Sequence, residues 1–240
     1  MMSSARVIRG AVATLGVSDR VSFLRRTYAH LGVALLAFTG LTAGLLQTET
    51  SARLSLQVLG SPGGWLLVLA LFMVAGWGAQ RLASSPSSRV LQYAGLALAV
   101  TLEAIILQPL LWLAYYTSNS TADFRELVLS AALLTGAIFG GLTLTVFLTK
   151  KDFSFLRGAL VIASFAALGL IVASMVFGFQ LGVVFVGAMI VLMAGYILYQ
   201  TSTVLRSFHP QAHVAAALML FSTIATLFWY VLQLLMELRR

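Results

Sequence analysis

The sequence contains no cysteine. That excludes disulfides, thiol nucleophiles and cysteine-ligated metals, and it leaves the redox compartment without a mark. Charge is scarce as well. Only 9% of the residues are charged, against 60% that are hydrophobic. A soluble domain is about a quarter charged and about half apolar. This chain has too little polar surface to cover itself in water. The motifs of common enzymes are missing too: there is no H-E-x-x-H, no G-x-S-x-G and no G-x-x-x-x-G-K-[ST]. His30, His209 and His213 lack metal-ligand spacing. No enzyme activity, no cofactor and no metal site are expected.

What the chain does have is long apolar runs, and the middle of the sequence shows how they are joined. The run through Gly136 and Gly140 stops at Thr149. Lys150, Lys151 and Asp152 follow, then Phe153 and Phe155, and a new run opens at Leu156. This reads as a membrane helix, a short basic loop with aromatic edges, and another membrane helix. Lys and Arg in short loops mark the cytoplasmic side, and aromatic rings prefer the headgroup level. Gly136 and Gly140, four apart, put two bare backbone patches on one helix face. That spacing predicts close helix packing in lipid.

The pattern predicts an all-α membrane protein with seven transmembrane helices. Residues 1–27 read as a basic cytoplasmic tail, with Arg6, Arg9, Arg20, Arg25 and Arg26. Residues 28–240 read as the membrane domain. The spans are predicted near Tyr28–Leu46, Gly64–Leu82, Leu91–Tyr116, Leu127–Leu148, Leu156–Phe177, Leu181–Tyr199 and Val214–Met236. Each is close to the roughly 20 residues that crossing requires. The third is long enough to tilt, or to bend at Pro109. With the N-terminus inside, 11 of the 15 Lys and Arg lie on the cytoplasmic side and 4 outside. This orientation puts the C-terminus outside, although Arg239 and Arg240 oppose it. A multi-pass protein of the bacterial inner membrane is expected, with lipid rather than nucleic acid around its basic residues.

Glu103 is the only acidic residue inside a predicted span. A charged carboxylate at mid-bilayer costs about 3 kcal/mol or more. It must therefore be protonated, paired or in contact with water. An acid held there either works in a proton or ion path or hydrogen-bonds a neighbouring helix, and sequence leaves both open. Thr223 and Thr226, at similar depth in the last helix, are its expected neighbours. Gln108 stands beside Pro109 but about 140° around a regular helix from Glu103. Gln200 falls at the predicted end of the sixth helix. Ser222, Thr223 and Thr226 read as hydroxyls bonding carbonyls one turn back, or as pore-lining groups. Arg81 closes the second helix as a snorkelling anchor or a site residue.

Four stretches carry a family resemblance. FLRRTYAHLG (Phe23–Gly32), FGGLTLTVFLTKKDFSFL (Phe139–Leu156), GYILYQTSTVL (Gly195–Leu205) and LFSTIATLFWYVLQLL (Leu220–Leu235) occur in order along nearly the whole chain. They resemble the Bax inhibitor family, also called the transmembrane Bax inhibitor motif or YccA-like family. The resemblance implies seven helices with the last one central within the other six. It also implies a pH-sensitive calcium leak, and roles in stress survival or in restraining a membrane protease. One departure stands out. The family's usual pattern has an aspartate after the tyrosine of the sixth helix and another in the last helix, thought to close the pore as a proton-sharing pair, aided by an arginine near the end of the second helix. Here those positions read Gln200 and Thr223, or Ser222 if the register slips by one; Arg81 matches the arginine loosely. Two carboxylates can share a proton; an amide and a hydroxyl cannot. Two functions follow as expectations. One is a proton-sensitive leak for Ca²⁺ or another cation through Glu103, Gln108, Gln200 and Thr223. The other is a non-transporting regulator that binds a membrane protease or other partner.

Overall fold

A computed structural model describes residue 12, residues 16–86 and residues 88–239; the side chains of residues 17, 62, 63, 65, 67 and 72 lie outside the description. The described residues form eight helices and no strand. These are α1 (Val17–Leu45), α2 (Glu49–Leu59), α3 (Pro62–Ala83), α4 (Arg89–Thr117), α5 (Thr121–Thr149), α6 (Leu156–Phe177), α7 (Gly182–Arg206) and α8 (His213–Leu238). Among the described residues, six of the eight are long and apolar enough to cross a membrane: α1 and α4–α8.

Several boundaries differ from the sequence expectation. The first helix begins at Val17, not near Tyr28, so Arg20, Arg25 and Arg26 ride on its first turns. Phe23 and Thr27 are buried there, which gives the polar segment a packed face. Arg6, Arg9 and Arg240 lie outside the described residues. The link after the first span is the short helix α2. Thr48 caps it by accepting a hydrogen bond from the Ser51 amide at 3.3 Å, which satisfies one of the open donors of a first turn. The sixth predicted span does not stop at Tyr199. It runs on to Arg206 because Ser202 and Thr203 bond back to the Tyr199 carbonyl and Val204 is fully buried. Gln200 is thus inside a helix, not at its end. Likewise α4 passes through Pro109 as one continuous helix.

The last helix is the axis of the bundle. It packs against α1, α3, α4, α5 and α7, and Phe221, Leu220, Leu227, Val231 and Leu232 are fully buried along it. The other helices do not all reach it. α6 packs against α7 and turns Ile162, Phe165 and Phe177 outward.

Close approach is made by glycines other than the predicted pair. A Cβ built on Gly136 or Gly140 would meet nothing within 4 Å. The buried stripe of α5 runs through Leu127, Ala131, Thr135, Thr143 and Val146, and the two glycines stand off it. The predicted packing face is therefore not a packing face in this bundle. Gly95 of α4 fills that role. Its Cβ would lie 2.5 Å from the Ala79 carbonyl oxygen and 2.5 Å from the Ala83 amide of α3. Ala79 and Ala83 are themselves buried, so small residues on both sides let the backbones touch.

Gly95→Ala should lower stability in detergent by about 1–3 kcal/mol, the usual cost of overpacking. Gly136→Ala and Gly140→Ala should be neutral or slightly stabilising, because Ala is the better helix former. Thermal unfolding of the three variants tests this. Equal loss at all three would mean that α5 is packed through its glycines after all.

Candidate functional site

Gly95, Ala99 and Glu103 follow each other at four-residue steps on α4. They share one face, and that face looks onto α3 and α8. Glu103 is therefore carried into the bundle by the same stripe that packs α4 against α3. It is the middle residue of the 29-residue helix, about 21 Å from either end, and only 8% exposed.

Its surroundings come from α8 and α3. Ser222 of α8 lines the same cavity wall as the carboxyl. Two cavities meet at this point. One, of about 310 Å³, lies among Met73, Trp77 and Gln80 of α3, Leu102 of α4 and Leu218 and Ser222 of α8. It leads toward the membrane face where α3 ends and α8 begins. The other, of about 470 Å³, passes Pro109 and Leu113 of α4, Ser174 of α6, Phe185 of α7 and Tyr230 and Gln233 of α8. It leads toward the opposite face. Glu103 and Thr226 line both. No Lys, Arg or Asp is among the described lining residues.

The other sequence candidates fall elsewhere. Gln108 points away from Glu103. Its Oε1 accepts from Ser51 Oγ at 3.1 Å, and its Nε2 donates to the Ala104 carbonyl at 3.0 Å. Trp112 Nε1 donates to the same Ser51 oxygen at 3.1 Å. This small polar net ties α4 to α2. Arg81 is exposed and lies over the Trp77 ring, 5.2 Å from its centroid, a cation–π contact at the helix end. It does not reach Gln200 or Thr223.

Gln200 and Thr223 do come together. Thr223 Oγ1 donates to Gln200 Oε1 at 2.8 Å, buried between α7 and α8. The pair that the resemblance set against two aspartates, with Thr223 rather than Ser222 as the second member, is thus joined here by a neutral hydrogen bond. Thr226, which shares a helix face with Ser222, bonds its own helix at the Ser222 carbonyl, 2.8 Å away. So Ser222 and Thr226 face Glu103, while Thr223 faces Gln200. Sequence reading placed Thr223 next to Glu103; the 100° step between Ser222 and Thr223 separates them.

The basic loop is fastened to the end of α7. Arg206 donates to the Lys150 carbonyl and lies 4.0 Å from the Asp152 carboxylate. The Phe153 amide donates to Ser202 Oγ at 3.3 Å. At the same end of the bundle His30 Nε2 lies 3.0 Å from the Tyr93 hydroxyl, and the His30 and His213 rings are 5.0 Å apart. Sequence reading missed this cluster because its members come from α1, α4 and α8. No group of three or more acidic or histidine side chains able to hold a metal occurs among the described residues.

A bundle of apolar helices around a buried last helix, with one acid at its centre, defines a polytopic helical membrane protein. The comparisons narrow that class. The family model described as "Inhibitor of apoptosis-promoting Bax1" matches residues 20–240, and the chain belongs to this Bax inhibitor family. It is similar to Bax inhibitor 1 of Schizosaccharomyces pombe, with 29% identity over 93% of this chain and 79% of the relative. It is also similar to the Golgi anti-apoptotic protein of Vaccinia virus strain Lister, with 29% identity over 94% of this chain and 89% of the relative. An uncharacterised protein of Pseudomonas aeruginosa matches over 45% of this chain and 49% of its own length, at 32% identity.

Thr223→Val should cost about 1–3 kcal/mol, because it leaves the Gln200 side-chain oxygen buried and unpaired. The double variant Gln200→Leu with Thr223→Val should recover part of that loss. Thermal unfolding in detergent reads both effects. A double variant as unstable as the sum of the two single variants would show that the two residues do not act as a pair.

Proposed function

We propose that the protein is a proton-sensitive cation leak whose narrow point is Glu103. The single observation that carries the reading is that Glu103 and Thr226 line both cavities, one toward each membrane face. A neutral carboxyl beside Ser222 closes the waist. Loss of its proton puts a negative charge there, draws water, and offers a cation one carboxylate and two hydroxyl oxygens. Ca²⁺ takes six to eight oxygens, so most of its shell at this point would be water. That favours a slow leak over a tight site. The likeness to the Bax inhibitor family makes Ca²⁺ the first ion to test, with K⁺ and H⁺ beside it. The Vaccinia virus relative carries an anti-apoptotic name, and on that likeness a role in stress survival is the physiological counterpart.

In this reading α3 supplies a seventh span, and the N-terminus is cytoplasmic in the inner membrane of a bacterium. The basic loop at Lys150 and Lys151 then lies inside, as do Arg81 and Arg206. The larger cavity opens toward the outside.

Flux into liposomes that hold only this protein tests the leak. Glu103→Gln should keep the fold and remove most of the pH dependence of flux. Gln200→Ala and Thr223→Ala should leave the pH profile in place, since neither side chain titrates. Absence of flux at every pH, with folded protein, would leave the family's other kind of role: a non-transporting regulator of a membrane protease or another partner. Orientation is read by labelling in cells. Ser85→Cys and Ser207→Cys should be shielded from an impermeant external thiol reagent, and Ser120→Cys should react. Labelling of Ser207→Cys from outside would overturn the proposed topology.

A further inference from the structure

The larger cavity has features that an ion leak does not use. It holds about 470 Å³, within the range of small-molecule sites. Its wall is mostly apolar and includes Phe38, Leu110, Phe185 and Tyr230, with Ser174, Thr226 and Gln233 as the uncharged polar members. The apolar stretch between these polar groups is suited to a hydrophobic body. At its inner end is one carboxyl, more than nine-tenths buried, with no cationic side chain among the described lining residues. Apolar walls with a small number of placed polar groups are what a small-molecule site requires. The walls also reach the bilayer. One side is Ile171, Ser174 and Met175 of α6, the helix that packs on α7 at the rim of the bundle.

We propose that this cavity binds a hydrophobic amine, with its nitrogen at the Glu103 carboxyl and its apolar body between α4, α6, α7 and α8. The chemistry balances. The amine enters from lipid as the free base, takes the proton of a neutral Glu103 carboxyl, and forms an ammonium–carboxylate pair with no net charge. The aromatic faces of Phe38, Phe185 and Tyr230 are suited to the cationic end as well as to the chain. An alcohol of the same length could hydrogen-bond the carboxyl but could not take its proton. A fatty acid of that length can hydrogen-bond the neutral carboxyl, but it brings no positive charge, so ionising either acid would leave a net negative charge buried without a partner. The site therefore selects by charge at one end and by apolar volume along the rest. Such an occupant would also block the route between the two cavities. Binding itself, though, rests on the cavity and its acid and not on the leak.

The test uses the full chain in phosphatidylcholine nanodiscs, with dodecylamine, dodecanol and dodecanoate as probes and the thermal midpoint as readout. Dodecylamine should raise the midpoint of the wild type saturably, and the other two should have little effect. Glu103→Gln should weaken the apparent affinity for dodecylamine by about tenfold to a hundredfold, as expected for loss of a charge-assisted hydrogen bond. Leu113→Trp adds volume to the cavity wall ten residues along α4 from Glu103 and should weaken binding with Glu103 intact. Equal stabilisation by all three probes would show a lipid-tail groove without selection and overturn the proposal, as would unchanged amine binding in Glu103→Gln. Because no ion flux is measured, this failure is distinct from failure of the leak: Glu103→Gln could alter flux and leave amine binding untouched.

Discussion

The structure turns on placing one carboxyl at the middle of a long apolar helix, with no Lys or Arg among the described residues that line its cavities. A charge there costs several kcal/mol, so the surroundings decide what form the group takes. Those surroundings are set by packing. Gly95 and Ala99 bring α4 hard against α3, and the same stripe delivers Glu103 to the central helix two turns later. A bulkier residue at Gly95 would push α4 off α3 and open the acid to lipid. The stability of the bundle and the placing of Glu103 are therefore the same geometric fact.

The departure from the family pattern then has a physical consequence. A pair of aspartates sharing a proton is a switch. The Gln200–Thr223 bond is a latch: it holds α7 to α8 over the accessible pH range, because neither partner titrates. Thr223 is turned toward Gln200, while Ser222, one residue earlier, is turned toward Glu103. Two adjacent positions on α8 thus address two different polar sites. On the proposed reading, titratable control in the core would belong to the α4–α8 contact, where Glu103 stands, and not to the α7–α8 contact.

Much of this was legible in the sequence. The apolar runs gave the long helices, because length and hydropathy are local properties. Glu103 stood out because an acid in such a run is rare. Three things were not legible. The helix α2 is too short and polar to signal itself against a loop, and only its Thr48 cap hints at it. The end of α7 was read at Tyr199 because polarity rises there, yet a buried polar residue such as Gln200 looks in sequence like a surface one. The glycines were misassigned for a related reason. Gly136 and Gly140 have the helix-packing spacing, but spacing does not say which face turns inward. Gly95 has no such partner glycine; its counterparts are Ala79 and Ala83 on another helix, and only the fold brings them together.

The position of α6 bears on how the site is reached. Were α6 packed on the central helix, the larger cavity would be closed to the bilayer and could serve only as a vestibule for water and ions. Instead α6 rests on α7, and Ile171, Ser174 and Met175 form one wall of a cavity whose other wall is α4 and α8. On the amine proposal, solutes in the apolar phase would reach the buried acid past this α6 wall, without crossing a polar headgroup layer at the site. The acid's proton is then within reach of two different chemistries. Water arriving along the axis can remove it and leave a charge, whereas a lipid-soluble base arriving from the side removes it and covers the charge at once. On the proposed reading the first would open the waist and the second would fill it, so the same carboxyl would answer acidity and membrane-dissolved bases in opposite directions.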